Sequence, residues 1–410
     1  MAILDLTAVD AVAKVQYTQS KVNNICYPES PVLAKIKKKN NFFGKTKHVA
    51  FKYGNPNGRG ADFATGLANM STSLYGAVDV VRKKDYCFAQ LDGETIASCQ
   101  NDAGALLNVV KEEFDGAFYT AARSLANSLF QTGGGSRGRI ATSTTIGSPN
   151  LVLMDINTVV NFEKGMVLNL ASTDGTSGAK RTGTLTILSV NRDTGTLVMT
   201  GNLTAGVAAV ATGDYIFQNG DFEATRSLPT GIAGWIPKVA PTSGDNFFGL
   251  DRSVDVTRLA GLRVTAFSGG PIEETLIQAA ARLKREGGKP DIVAMNPLDI
   301  ATLVTALGNK VVYDRSGSID NPEFGFQVPV LMGPSGPMKI VPEIAVGTGD
   351  AWMLTSSVWS FETAGGGPRI LDEDGNTMRA SATTDSYIAR IGYYGNFICE
   401  APAWNAYVQL

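Results

Sequence analysis

Residues 45–130 constrain this chain more than any other stretch, because they join a long extended segment to a long amphipathic one. Residues 45–53 read as a strand. Gly54-Asn55-Pro56-Asn57-Gly58-Arg59-Gly60 reads as a flexible tip. Residues 73–91 read as the returning strand, with Tyr75, Val78, Val80, Val81, Tyr86 and Phe88 as its β-formers. A two-stranded ribbon is marginal alone in water, so it needs a surface to lie on, and another subunit is the natural source. A helix is predicted directly afterwards, over residues 105–130. Leu107, Val110, Phe114, Phe118, Ala121, Leu125 and Leu129 recur at three- and four-residue steps and make one apolar stripe. Asp102 precedes it as a cap or first-turn anion, and Gly133-Gly134-Gly135 follow its end. At 1.5 Å per residue, ~26 residues span ~39 Å. Gly116, in the middle, costs about 1 kcal/mol against Ala and marks close packing or a bend.

The chain has 410 residues, too many for one compact core, so two to four units are expected. With 44% hydrophobic and 18% charged residues it is a globular chain, and its 45 glycines imply many turns. A net charge of -2 argues against a dedicated nucleic-acid binder while leaving room for local contact. Residues 1–12 contain Asp5 and Asp10 and lack the cationic start of a signal peptide. No run approaches the ~20 apolar residues of a membrane helix. Cys26, Cys87, Cys99 and Cys399 form no CxxC pair and read as free thiols in a reducing compartment.

Residues 1–40 form a basic N-terminal arm, with a short helix over 9–17 and an extended, proline-bearing stretch from Cys26 to Pro31. Lys35, Lys37, Lys38 and Lys39 are open to two readings, a solvated face or a contact with phosphates or acidic neighbours. Residues 148–222 carry short strands (151–154, 166–170, 184–190, 196–200, 214–217) with a hairpin signal at Asn191-Arg192-Asp193-Thr194-Gly195. They predict a small β-barrel or sandwich inserted into a larger domain. Residues 247–363 are mixed. A helix over 271–286 has Pro271 at its start, Glu273 and Glu274 at the positive end, and Arg282, Lys284 and Arg285 at the negative end. A strand over 291–295 follows, then a helix from Asn296-Pro297 to Leu307, and strands near 327–332, 338–341 and 351–354. Residues 378–410 alternate strongly and are rich in aromatics.

Catalytic signatures are missing from the sequence. His48 is the one histidine, on the outgoing ribbon strand, and neither GxSxG nor HExxH occurs. Residues 133–140 have the outer glycines of a phosphate loop but lack its Lys and Ser/Thr and follow a helix, so they read as a flexible linker. Residues 371–376 begin like a calcium loop, but Thr377 and Thr383 stand where Gly and Glu are required. A β-turn is the better reading.

The order of basic arm, extended loop and long spine helix resembles the major capsid proteins of tailed bacteriophages, with the Hong Kong 97-type fold. Pro290-Asp291-Ile292-Val293-Ala294-Met295-Asn296-Pro297 and the aromatic strands that end in Pro402, Trp404 and Tyr407 resemble segments of that family. The resemblance lies in the order of parts over nearly the whole chain. It implies an α+β fold with N-terminal arm (1–43), extended hairpin loop (44–92), peripheral domain with spine helix (93–145 and 370–410), inserted β-domain (146–224) and axial domain (225–369). It places the last strands beside the spine helix. It implies a structural, non-enzymatic subunit without cofactor or metal. Such subunits form pentamers and hexamers of an icosahedral head around double-stranded DNA. The expected partners are further copies, scaffolding and portal proteins, a decoration protein and packaged DNA, without membrane. The location is the virion, assembled in the host cytoplasm. Lys52, Tyr53, Arg59, Asp62 and Phe63 are the expected inter-subunit contacts, the alternative being a disordered loop in the free protein. Lys35, Lys37, Lys38 and Lys39 would then line the inner surface. Some relatives form a lysine–asparagine isopeptide bond, for which Lys45, Lys47, Lys52, Asn396 and Asn405 are the residues to test. The competing readings are another β-rich virion or surface-array protein and a carbohydrate-active hydrolase. The latter needs a carboxylate pair that the sequence does not place together.

Overall fold

A computed structural model describes residues 30–93, 103–222, 227–266, 270–307, 330–373 and 375–410, with backbone alone for 103–112. The predicted helix at 9–17, the Asp102 cap, Cys26 and Cys99 lie outside the described residues. Among the described residues, the α-helices of five or more residues are α1 (Pro31–Lys35), α2 (Phe63–Ala68), α3 (Ala103–Leu129), α4 (Val256–Ala260), α5 (Ile272–Arg285) and α6 (Pro297–Leu307).

Strand β1 (Lys37–Lys39) precedes a ribbon of β2 (Thr46–Gly54) and β3 (Leu74–Val81), paired antiparallel from Thr46↔Val81 outwards. The returning strand, expected as one run, is two. At Arg82 the chain changes partner, and β4 (Lys83–Asp92) pairs with β19 (Ser386–Cys399) from Lys83↔Gly395 to Asp92↔Ser386. The cause is geometric: β2 starts at Thr46, opposite Val81, so beyond that point the strand must find its hydrogen bonds elsewhere. The Arg82 N–H closes the ribbon on the Lys45 carbonyl at 2.9 Å.

Helix α3 buries Phe114, Phe118, Ala121, Leu125 and Leu129, the described part of the predicted stripe. It packs on Ala89 and Leu91 of β4 and on Ala389 and Ile391 of β19. Gly116 was expected to mark a close contact or bend, yet a Cβ there would meet nothing within 4 Å.

Strands β5 (Ser136–Arg139), β6 (Asn150–Val152), β7 (Val167–Ala171), β8 (Leu185–Asn191), β9 (Thr196–Met199) and β10 (Tyr215–Gln218) form a six-stranded sheet in the order β5-β10-β7-β8-β9-β6. An Ile140↔Leu153 bridge joins its two ends, so the sheet closes into a small barrel around Ile140, Leu151, Phe162, Leu170, Ile187 and Ile216. The stretch expected to be a loose linker runs straight into β5. Gly133 and Gly135 sit at φ +89° and +87°, and a Cβ on Gly134 would lie 1.9 Å from the Asp174 carbonyl oxygen. These glycines make a tight turn that larger residues would break.

A third six-stranded sheet has the order β11-β20-β15-β12-β14-β13. Its strands are β11 (Leu262–Thr265), β12 (Ile292–Met295), β13 (Val330–Gly333), β14 (Gly336–Pro342), β15 (Asp350–Leu354) and β20 (Ala406–Gln409). Helix α5 covers it with Leu276, Ala279, Ala280 and Leu283, and α6 adds Leu303. Pro271 is the N-cap of α5, and the Asn296 carboxamide oxygen caps α6 by accepting from the Leu298 N–H at 3.0 Å. The remaining sheet holds β1, β4, β16 (Trp359–Thr363), β17 (Arg369–Ile370), β18 (Met378–Ala380) and β19.

One sequence expectation fails here. Strand β20 leaves the spine helix and completes the third sheet between β11 and β15. The crossover is pinned by fully buried Asn405. Its carboxamide oxygen accepts from the Thr355 N–H at 2.9 Å and Trp359 Nε1 at 3.0 Å, and its nitrogen donates to the Ala401 carbonyl at 3.0 Å.

Candidate assembly interface

The ribbon divides into a held root and a free tip. At the root, Val78 and Val80 are buried and Phe51 packs edge-on against Trp235 at 6.4 Å. Trp235 stacks on Phe247 at 5.1 Å, and Phe247 on Phe248 at 4.8 Å. The Phe248 carbonyl accepts the Asp79 N–H at 3.1 Å, so a loop at 244–252 grips the ribbon edge. Buried Arg252 organises that loop. Its guanidinium bonds Asp245 at 2.7 and 3.3 Å, donates to the Gly234 carbonyl at 2.9 Å, and lies 4.0 Å from the Phe247 ring centroid. Arg258 on α4 donates to the Tyr53 carbonyl. Sequence reading missed this clamp. Its one visible signal is the Asp245…Asp251-Arg252 spacing, which is common in loops.

The tip, expected to be flexible, is built. Asp62 is the N-cap of α2: its carboxylate accepts the Thr65 N–H at 3.1 Å and Oγ1–H at 3.3 Å. Asn69 Nδ2 donates to the Arg59 carbonyl at 3.0 Å, and the Asn57 N–H donates to Ser71 Oγ at 3.0 Å. Among the described residues, every hydrogen bond of 55–73 is made within that segment. Its apolar side chains have nothing to pack on. Phe63 is 85% exposed, Met70 71%, and Leu67, Leu74 and Tyr75 are exposed as well. Exposed apolar patches of this kind are a common feature of contact surfaces.

The expected contact residues therefore separate. Lys52 is exposed on the ribbon opposite Tyr75, and Tyr53 is half-buried at the held end. Arg59 and Phe63 are exposed on the tip; Asp62 is exposed but spent on its own helix, and it makes no ion pair with Arg59. His48 is on the ribbon surface, 2.8 Å from Asp79.

The basic cluster separates too. Lys35 and Lys37 are exposed, and Lys38 lies exposed between its neighbours in β1, which pairs parallel with β16. Lys39 meets acidic neighbours of its own chain: its amine is 2.9 Å from Glu400 and 3.6 Å from Glu362, a carboxylate that also takes Lys47 at 2.9 Å. Glu362 is buried, so two ammonium groups converge on it from different strands. The hydrogen bond that Lys39 donates to Glu400, with these charges, raises the Lys39 pKa.

Neither asparagine named for an isopeptide bond is at the surface. Asn405 pins the β20 crossover. Asn396 accepts from the Thr230 N–H at 2.7 Å and donates to the Val81 carbonyl at 2.8 Å. Asn396 is the cross-strand partner of Glu362, which brings it into the neighbourhood of Lys47. Its carboxamide is nevertheless committed to backbone groups.

A buried polar group links α3, β4 and the barrel. Ser124 donates to Asp85 at 2.7 Å, and Arg137 bonds Asp221 at 3.1 Å. Burial raises the pKa of both carboxylates, with the Arg137 charge opposing it. Burial pushes the Cys87 thiol up to about 12 and Cys399 higher still, so both are inert as nucleophiles. Among the described residues, no three His, Cys, Asp or Glu are grouped to hold a metal, and no helix is long and apolar enough to cross a membrane.

No protein-family model matches the chain, and no curated protein matches it. Solved structures do. The cyanophage A-1(L) capsid asymmetric unit aligns over 93% of this chain and 92% of its own, with TM-score 0.52 and 10% identity. A Mycobacterium phage Ogopogo structure aligns over 93% and 92% at TM-score 0.44 and 11% identity. The capsid of a native GTA particle aligns over 92% and 89% at 0.44 and 8%. At such identities the likeness concerns the fold, and the first comparison carries it: the chain has the α+β fold seen in the cyanophage A-1(L) capsid.

Proposed function

We propose that this chain is a structural shell subunit of a virion. Many copies form the pentamers and hexamers of an icosahedral head that encloses double-stranded DNA. It works by contact, without catalysis or cofactor. The observation that carries this reading is the arm tip: it is clamped at its root, bonded only to itself, and presents Phe63, Leu67 and Met70 bare to solvent. A lone subunit gains nothing from that arrangement; a subunit among copies buries it. A closed lattice multiplies many weak contacts.

In this reading α3 and the sheet of β1, β4 and β16–β19 form the peripheral domain, which takes β1 from the expected arm (1–43), β4 from the expected loop (44–92) and β16 from the expected axial stretch (225–369). The third sheet with α5 and α6 forms the axial domain, and the barrel is inserted between them. Lys35, Lys37 and Lys38 face the interior and meet packaged phosphates. A scaffolding protein, a portal and a decoration protein are the further partners, and assembly occurs in the host cytoplasm. Deleting residues 54–69 tests the reading: soluble subunits that build no shells are expected, and normal shells from the deletion would refute it.

A further inference from the structure

A second surface complements the arm tip. Between the barrel, the end of α3 and the loop before β15 lies a cleft of about 730 Å³. Met154 comes to it from the barrel, Val239 from the stretch after Trp235, and Ile344 from the loop after β14. All three are exposed, Val239 at 79%. Three apolar side chains left bare around one concavity are an unfilled contact.

The cleft is also acidic. Asp155, Asp174 and Asp350 line it with Lys238 as the one cation. Lys238 pairs with Asp350, which also accepts from Tyr407 Oη at 2.6 Å. Asp155 and Asp174 receive only N–H and O–H donors: Asp155 accepts from the Asn157 N–H at 3.0 Å, Asn157 Nδ2 and the Thr348 N–H, and Asp174 from Thr132 Oγ1 at 2.7 Å and from the Thr176 N–H and Oγ1. Two carboxylates therefore remain without a cation.

The arm tip supplies what this cleft lacks. Phe63 and Leu67 stand one turn apart on α2, with Met70 just beyond its end. Arg59 beside them is exposed, with no ion pair among the described residues. The tip thus offers apolar side chains to match apolar side chains, and a guanidinium without an ion pair to match two hydrogen-bonded carboxylates without a cation. Within one chain Phe63 and the cleft's Met154, Val239 and Ile344 are all exposed, so the chain's own arm does not fill the site. Within residues 233–238, Trp235 packs on Phe51 of the ribbon while Ala233, Pro237 and Lys238 line the cleft.

We infer that this cleft is the receptor for the arm tip of a second copy of the chain, with Phe63 seated among Met154, Val239 and Ile344 and Arg59 against Asp155 and Asp174. The inference rests on the shell reading. It names the partner surface for the arm, which the fold alone does not.

A photo-cross-linker tests it. p-Benzoylphenylalanine is placed at position 63 in light chains. These are co-assembled with an excess of isotope-heavy, otherwise unchanged chains, so that labelled subunits are carried by normal ones. After irradiation, cross-linked peptides are identified by mass spectrometry. The expected product joins position 63 of a light chain to heavy-chain peptides containing Met154 or Ile344. The same product is expected from a probe at position 70, which guards against a defect special to position 63. Assembled particles cross-linked through any other surface would overturn the cleft and leave the shell reading standing. Failure of unmodified chains to assemble at all would sink both.

Discussion

Asn396 Nδ2 lies 2.8 Å from the Val81 carbonyl oxygen, at the residue where the ribbon ends and the strand changes partner. The same carboxamide takes the Thr230 N–H at 2.7 Å, so one side chain joins the arm root, β19 and the stretch after the barrel. Replacing it by Ala leaves a buried carbonyl and a buried N–H unpaired, at about 1–3 kcal/mol each. Asn396→Ala is expected to destabilise the subunit by about 3 kcal/mol in urea unfolding. A loss below about 1 kcal/mol would show that the joint has little structural weight.

The arm tip makes a different demand. Phe63 and Leu67 touch nothing that folding needs, so Phe63→Ser with Leu67→Ser is expected to leave subunit stability within about 0.5 kcal/mol. Particle yield is expected to fall sharply. Loss of stability and assembly together would mean that the tip packs on its own chain.

Gly116 carries a helix cost with no packing return, since a Cβ there meets nothing within 4 Å. Gly116→Ala is expected to raise stability by about 1 kcal/mol. A destabilised variant, read by thermal melting, would indicate a neighbour pressed against that face in the assembled state or a bend that the helix requires.

Glu343 gives stability a pH dependence. It is buried, accepts from Ser30 Oγ at 2.8 Å, and lines a cavity with Arg123 and Tyr119 of α3. Burial pushes its carboxyl from 4.5 up to about 7, against hydrogen bonds from Ser30, Val32 and Ala345. A raised folded-state value favours the protonated form, so this contribution is full below about pH 4.5 and is lost as pH rises to about 7. The span corresponds to about 3 kcal/mol. Glu343→Gln is expected to remove this contribution and to exceed the parent in stability at pH 8 by up to that amount. Parallel stability curves for the two proteins between pH 4 and 8 would contradict the assignment. Because Ser30 caps α1, the same titration acts where the N-terminal segment joins the body.

What could be read in advance follows from how local each signal is. The stripe Phe114–Phe118–Ala121–Leu125–Leu129 announced α3 because a helix stripe is written within one segment. Barrel strands β6–β10 and the Asn191–Thr196 hairpin are legible for the same reason, whereas β5 reads as part of a glycine-rich linker. The split at Arg82 was not, since β3 and β4 alternate alike and only the end of β2 separates them. Strand β20 was placed beside the wrong partner because Asn405 acts through Thr355 and Trp359, far away in sequence. The arm tip is expected from the sequence to make contacts, but its apolar face comes from α2, which Gly60 and Gly66 disguise as loop. The Arg252 clamp and the acidic cleft are assembled from segments that no local pattern links.

The most direct test of the account is the size and shape of the purified chain, by light scattering with electron microscopy. The account predicts closed polyhedral particles of many megadaltons, formed alone or with a scaffold, whose diameter gives the copy number. A stable monomer or small oligomer, unchanged by scaffold or crowding agent, would contradict it.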